Sequence, residues 1–119
     1  MKNIIISILL LLTVLSCNQQ KSSVTVPADV LSPDSMVQVL SDIHLAEAEA
    51  TLHPYSDSSG IINLPAYYKY IFNNHKLDTA MFNRSMNFYL SNPELLNTVY
   101  NGILDELSKR HARYQQKDQ

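Results

Sequence analysis

The chain is poor in cysteine and glycine, with one of the first and two of the second in 119 residues. A single thiol closes no disulfide within a monomer, so in an oxidising compartment the fold has to hold by packing alone. Gly60 and Gly102 stand far apart, which excludes a glycine-rich phosphate loop. No serine sits in a Gly-x-Ser-x-Gly setting, so a nucleophile elbow is excluded too. Positive charge is also missing over a long stretch. From Ser22 through Tyr68 there is no lysine or arginine, whereas Asp29, Asp34, Asp42, Glu47, Glu49 and Asp57 all fall there. At the other end Lys109, Arg110, Arg113 and Lys117 crowd together. Opposite signs at the two ends fit a first helix lying beside the last; the sharper alternative is a basic end that faces a charged partner such as anionic lipid. The formal net charge is -2, which gives no footprint for nucleic acid.

What is present begins with an address. Lys2 precedes an apolar run over 4–15, about a dozen residues where a bilayer-crossing helix needs roughly twenty, so 1–16 reads as a removable signal peptide. The run ends at Val14-Leu15-Ser16-Cys17, which resembles the lipobox of bacterial lipoproteins. That resemblance implies cleavage before Cys17, a diacylglycerol on its sulfur and an acylated new amino terminus. One acyl chain anchors marginally, and two or three make the attachment stable. Asn18-Gln19-Gln20-Lys21-Ser22 lacks the aspartate that resembles an inner-membrane retention signal and the acidic cluster that resembles a surface-export signal. The implied location is the outer membrane, facing the periplasm.

Beyond Cys17, residues 17–30 are polar and read as a flexible tether, 31–114 as one helical domain and 115–119 as a polar tail. Ser32-Pro33-Asp34 is a helix start, with a hydroxyl to cap free amides and proline where its missing donor costs nothing. The expected helices are 33–52, broken by His53-Pro54 and an exposed loop at 56–60; 65–75; 79–90, capped by Asp78; and a last, long one from Ser91-Asn92-Pro93-Glu94. The last carries a stripe of Leu96, Val99, Tyr100, Ile103, Leu104, Leu107 and Tyr114. No segment alternates with period two. The class is all-α, a small bundle of about four helices joined by short loops.

One residue breaks the pattern of the first helix. At about 100° per residue the apolar face collects Met36, Val39, Leu40, Ile43, Ala46 and Ala50, with Gln38, Asp42 and Glu49 opposite. Glu47 lands inside the apolar arc, and His44 sits one turn earlier at its edge. A buried carboxylate needs a companion or takes up a proton; the available ones are His44, Arg84 and the hydroxyls of Tyr67, Tyr68 and Tyr100. Three readings compete. The first is a polar knot that fixes helix register, the second a ligand or peptide contact, and the third a metal or acid/base site. HxxE supplies only two ligands, and no second such motif exists. No catalytic residue, metal ligand set or cofactor is therefore assigned.

The run LSDIHLAEAEA, followed by YKYIFNNHKLDTAMFNRSMNFYLSNPELLNTVYNGILDEL, is similar to a family of small lipoproteins found in Bacteroidota, the domain of unknown function 4296. The likeness spans 31–107 and includes Asp42, His44 and Glu47, which adds Asp42 to Arg84, Tyr67, Tyr68 and Tyr100 as a candidate partner of the His44 and Glu47 site. It implies an all-helical fold and no particular chemistry. The expectation is a non-enzymatic binding or scaffold module, anchored through Cys17 and acting on an envelope protein partner. A chaperone-like binder of unfolded chains, with an exposed groove lined by Tyr67, Tyr70 or Phe88, and a site around His44 and Glu47 are the alternatives.

Overall fold

The computed structural model describes residues 24–52 and 63–117. Cys17, the signal peptide and the loop from His53 to 62 lie outside the described residues. The four helices are α1 (Pro33–Leu52), α2 (Leu64–Asn74), α3 (Thr79–Leu90) and α4 (Pro93–Lys117). Among the described residues there are no strands, and no helix is long and apolar enough to cross a membrane.

Each helix starts where its chemistry allows. The Ser35 amide donates to Ser32 Oγ at 3.2 Å, Asn63 Oδ1 accepts from Ala66 at 3.2 Å, and Asp78 Oδ1 accepts from Met81 at 2.6 Å. These caps satisfy amides that the helix leaves open. Pro33 and Pro93 open α1 and α4, where a missing donor is harmless. Helix α2 stops at a residue in the left-handed region, Lys76, with φ of 51°. Leu77 N–H donates to Phe72 O at 2.8 Å and Lys76 N–H to Asn73 O at 3.1 Å, the paired closure of a Schellman end. Leu77 is buried just beyond it, fixing the chain's exit.

The order of contacts gives the topology. Tyr68 meets Glu47 and His75 meets Asp42, so α2 runs opposite to α1. Val37 faces Gly102 and Arg110 reaches Asp42, so α4 runs in the same direction as α1. Between them α2 and α3 form a return arm broken at Lys76, with Phe72 and Phe82 tilted against each other across the break at 5.1 Å. The core gathers Met36, Val39, Leu40, Ile43 and Ala46 of α1 with Ile71, Leu77, Tyr89, Val99 and Ile103. Burying a large side chain of this kind is worth about 1.5–3 kcal/mol.

The ordered unit begins earlier than the expected boundary at 31. Val30 donates to Pro27 O at 3.1 Å and packs on the core, while Asp29 lies 3.6 Å from Arg84. Leu31 N–H donates to Ser85 Oγ at 2.9 Å, Ser85 Oγ donates to Met81 O at 2.8 Å, and Tyr89 Oη donates to Leu31 O at 2.8 Å. The last residues of the expected tether are thus pinned to α3. At the other end α4 continues through Lys117, so the expected polar tail from 115 is mostly helical.

Ser85 is fully buried and satisfied on both sides, whereas Ser41, also fully buried, has no hydrogen-bond partner for its hydroxyl among the described residues. Helix α4 closes on α1 at Gly102: a Cβ there would come within 2.6 Å of Val37 Cγ2, a branch of a stiff side chain. Alanine normally favours a helix over glycine by about 1 kcal/mol. Gly102→Ala is expected to lower the melting temperature in the Val37 background and raise it in a Val37→Ala background; a rise in both would show that the approach is not limiting. Lys76→Gly is expected to stabilise the fold by about 0.5–1 kcal/mol in urea unfolding by removing the left-handed penalty; no gain would mean that the turn is unstrained.

Candidate functional site

Five polar side chains, from α1, α4 and the C-cap of α2, converge at the middle of α1. Asp42 Oδ1 accepts from Arg110 Nη1 at 2.5 Å and Asp42 Oδ2 lies 2.7 Å from His75 Nε2. Arg110 also donates to Glu106 Oε1 at 2.7 Å and to Gln38 Oε1 at 3.1 Å. Asp42 and Arg110 are about four-fifths covered. Burial by itself would push the Asp42 carboxyl up, but the bonds from His75 and Arg110 and the charge of Arg110 outweigh it and hold it below the ordinary aspartate range. The ionised carboxylate only accepts, so His75 Nε2 carries the proton in that bond. Glu106 is lowered as well, chiefly by its bond from Arg110. Burial would lower Arg110, yet Glu106 and Asp42 raise it above its ordinary value.

Asp42 was expected on the solvent side of α1, and the structure makes it the joint between α1, α2 and α4. The expected centre, His44 and Glu47, is a separate and more open pair. Their side chains are 44% and 45% exposed, with His44 Nδ1 3.5 Å from Glu47 Oε2. Glu47 is therefore not buried as its place on the helical wheel predicted, and its main companion is Tyr68, whose hydroxyl donates to Oε1 at 2.8 Å. That bond raises the Tyr68 pKa. Arg84 is engaged with Asp29 and not with Glu47. Tyr67 and Tyr100 are exposed. His75, Arg110, Glu106 and Gln38 are the residues that the sequence did not bring to any site. Among the described residues no three of His, Cys, Asp and Glu stand together as a metal site.

Above the Asp42 joint the surface opens into a groove. One part, of about 670 Å³, lies between α1 and α2 and is lined by Asp42, Leu45, Glu49, Tyr67, Tyr70, Ile71 and Tyr114, among others. The other, about 260 Å³, lies between α1 and the last turns of α4 and is lined by Leu45, Arg110, Arg113, Tyr114 and Lys117. Leu45 and Tyr114 line both, so the two parts adjoin. Leu45, Tyr67, Tyr70 and Tyr114 are 42%, 42%, 68% and 69% exposed, a run of large apolar surface open to solvent. Phe88 is elsewhere, half-buried on α3 with its ring edge-on to Tyr89 at 5.4 Å. His44 and Glu47 line neither part.

The geometry makes Asp42 a stability element with a definite pH signature. Its folded pKa is depressed, so its contribution is complete above the unfolded value and is lost as pH falls through the folded one. Asp42→Asn is expected to cost about 2 kcal/mol at pH 7. The gap between variant and wild type should narrow as pH drops below about 4. Urea unfolding across that range checks it, and parallel stability curves would remove the joint from the account.

Neither a curated protein nor a solved structure matches the chain. Residues 27–113, from the turn that docks on α3 to the turn of α4 just past Arg110, match the family model described as Domain of unknown function (DUF4296), and the chain belongs to that family.

Proposed function

We propose that this protein is an envelope lipoprotein, held at the periplasmic face of the outer membrane by lipid on Cys17, and that it works as a non-enzymatic module that binds a protein partner. The observation that carries the binding half is the open groove, where Leu45, Tyr67, Tyr70 and Tyr114 stand exposed side by side. A contiguous apolar surface flanked by polar residues is the usual mark of an interaction site. Tyrosine suits it, since the ring supplies contact area and the hydroxyl tolerates water before the partner arrives. The polar groups below the groove are engaged with one another: Asp42 is held by Arg110 and His75, an arrangement that fixes helices. The anchoring half rests on the lipobox-like Val14-Leu15-Ser16-Cys17.

A chaperone-like role would use the same Tyr67 and Tyr70, and it differs in accepting many unfolded clients in place of one partner. The test is co-purification from gently solubilised envelopes, comparing the acylated protein with Cys17→Ala. A stoichiometric partner that is lost with the anchor is the expected result. If only lipid and the protein itself are recovered, the scaffold reading fails. Recovery of many unrelated unfolded chains would move the assignment to the chaperone-like role.

A further inference from the structure

The groove has an electrical direction. At the α4 end Arg113 and Lys117 stand beside Tyr114. Arg110 lies in the same wall, but it is about four-fifths covered and three of its five N–H donors are engaged with Asp42, Glu106 and Gln38. Arg113 is 64% exposed and has Glu106 only at 3.5 Å, so most of its donor capacity is open to a ligand. The other end is aromatic and aliphatic on its α2 wall, with Tyr67, Tyr70 and Ile71, and carries Asp42 and Glu49 on its α1 wall. A ligand complementary to this surface carries carboxylates at one end and apolar side chains next to them.

The position of the groove matters equally. The chain enters the fold at Asp29 to Leu31, pinned to α3. Leu45 is about 20 Å further along α1 at 1.5 Å per residue. The basic end is therefore the one remote from the point where the chain enters the fold. Beside that point Asp29 and Asp34 are found, with Asp29 paired to Arg84.

Building on the binding role proposed above, we propose that the groove takes an acidic segment of a partner polypeptide, its carboxylates on Arg113 and Lys117 and its apolar side chains over Tyr114, Leu45 and Tyr70. Charge pairs at the rim set approach and register, while the aromatic half supplies contact area.

The test uses the full acylated chain in phosphatidylcholine nanodiscs and three fluorescent dodecapeptides with the same leucines and phenylalanines, bearing aspartate, asparagine or lysine between them. The aspartate peptide is expected to bind about tenfold more tightly than the asparagine one, and the lysine one least. Its advantage should shrink as salt is raised. Reversing the exposed charges with Arg113→Glu and Lys117→Glu should abolish the preference, and Tyr114→Ala should weaken all binding, with circular dichroism checking that both variants remain folded. Equal affinity for the aspartate and asparagine peptides overturns the proposal. So does tighter binding to phosphatidylglycerol vesicles than to the peptide, lost in the charge-reversed form, which would assign the patch to a membrane. If the charge-reversed protein still recovers the same envelope partner, the groove assignment falls while the binding role stands.

Discussion

A single carboxylate holds three helices in register. Asp42 takes one bond from α2 through His75 and one from α4 through Arg110. Taking a carboxylate out of water is costly, and the arrangement is favourable only because both oxygens are occupied and one donor is a full cation. Arg110 in turn is held from its own helix by Glu106, one turn back. The guanidinium is thus oriented before α1 arrives, which reduces the side-chain entropy lost on docking. The consequence runs beyond the joint. Tyr114 lies one helical turn past Arg110 and Leu45 nearly one turn past Asp42, so the same contact that aligns the helices also sets the two groove walls against each other.

That joint works because the backbones approach closely a few turns below it. Two helices running in the same direction gain nothing from their dipoles and must be held by packing and by specific bonds. Gly102 removes the side chain that would meet Val37, and Val99 and Ile103 are buried on either side of it. The broken return arm solves a different problem. A straight helix from α2 through α3 would carry its far end past α1; the left-handed Lys76 and the Asp78 cap turn the chain so that Tyr89 and Ser85 receive Leu31.

Most of the fold was legible in the sequence because its boundaries are set by local chemistry. Ser32, Asp78, Pro33 and Pro93 act on their own turns, and no long-range information is needed to read them. The site was not legible in the same way. Taking Met36 as the centre of the buried face, Val37, Ser41 and Asp42 fall at about 100°, 140° and 240° around α1, the side read as solvent. Helix α4 packs there, using Val37, a buried serine and the Gln38 and Asp42 side chains. A wheel sorts residues by hydropathy, and a helix contact made by glycine, serine and paired charges escapes it. Glu47 is the converse case: it sits among apolar neighbours in projection, but near the end of α1 the packing thins, and its carboxylate reaches Tyr68 half in solvent. The opposed charge of the two chain ends did carry the right message, since Arg110 of α4 meets Asp42 of α1. It did not say which acid. Six lie in that lysine- and arginine-free stretch, and only the direction of α4 relative to α1 selects among them.

The open groove follows from a mismatch in helix lengths. Helix α4 has 25 residues against 11 in α2, so its last turns rise past Arg110 with α1 on one side and, among the described residues, no helix on the other. A domain meant only to be stable would end α4 at the joint or finish it with polar side chains. Here Tyr114 continues the inner stripe, and Leu45, Tyr67 and Tyr70 face it from the other wall. Burying such groups gains about 25 cal/mol per Å², a gain that the monomer forgoes. Three of the four are tyrosines, whose hydroxyls keep the empty surface compatible with water. Arg113 and Lys117 are concentrated at this one end, beside the Arg110 that Asp42 and Glu106 hold, while Glu49 stands in the other part of the groove. A surface that gives up burial energy, tolerates water and sets exposed cations at one end beside an aromatic wall has the properties of a recognition site whose occupant supplies the missing wall.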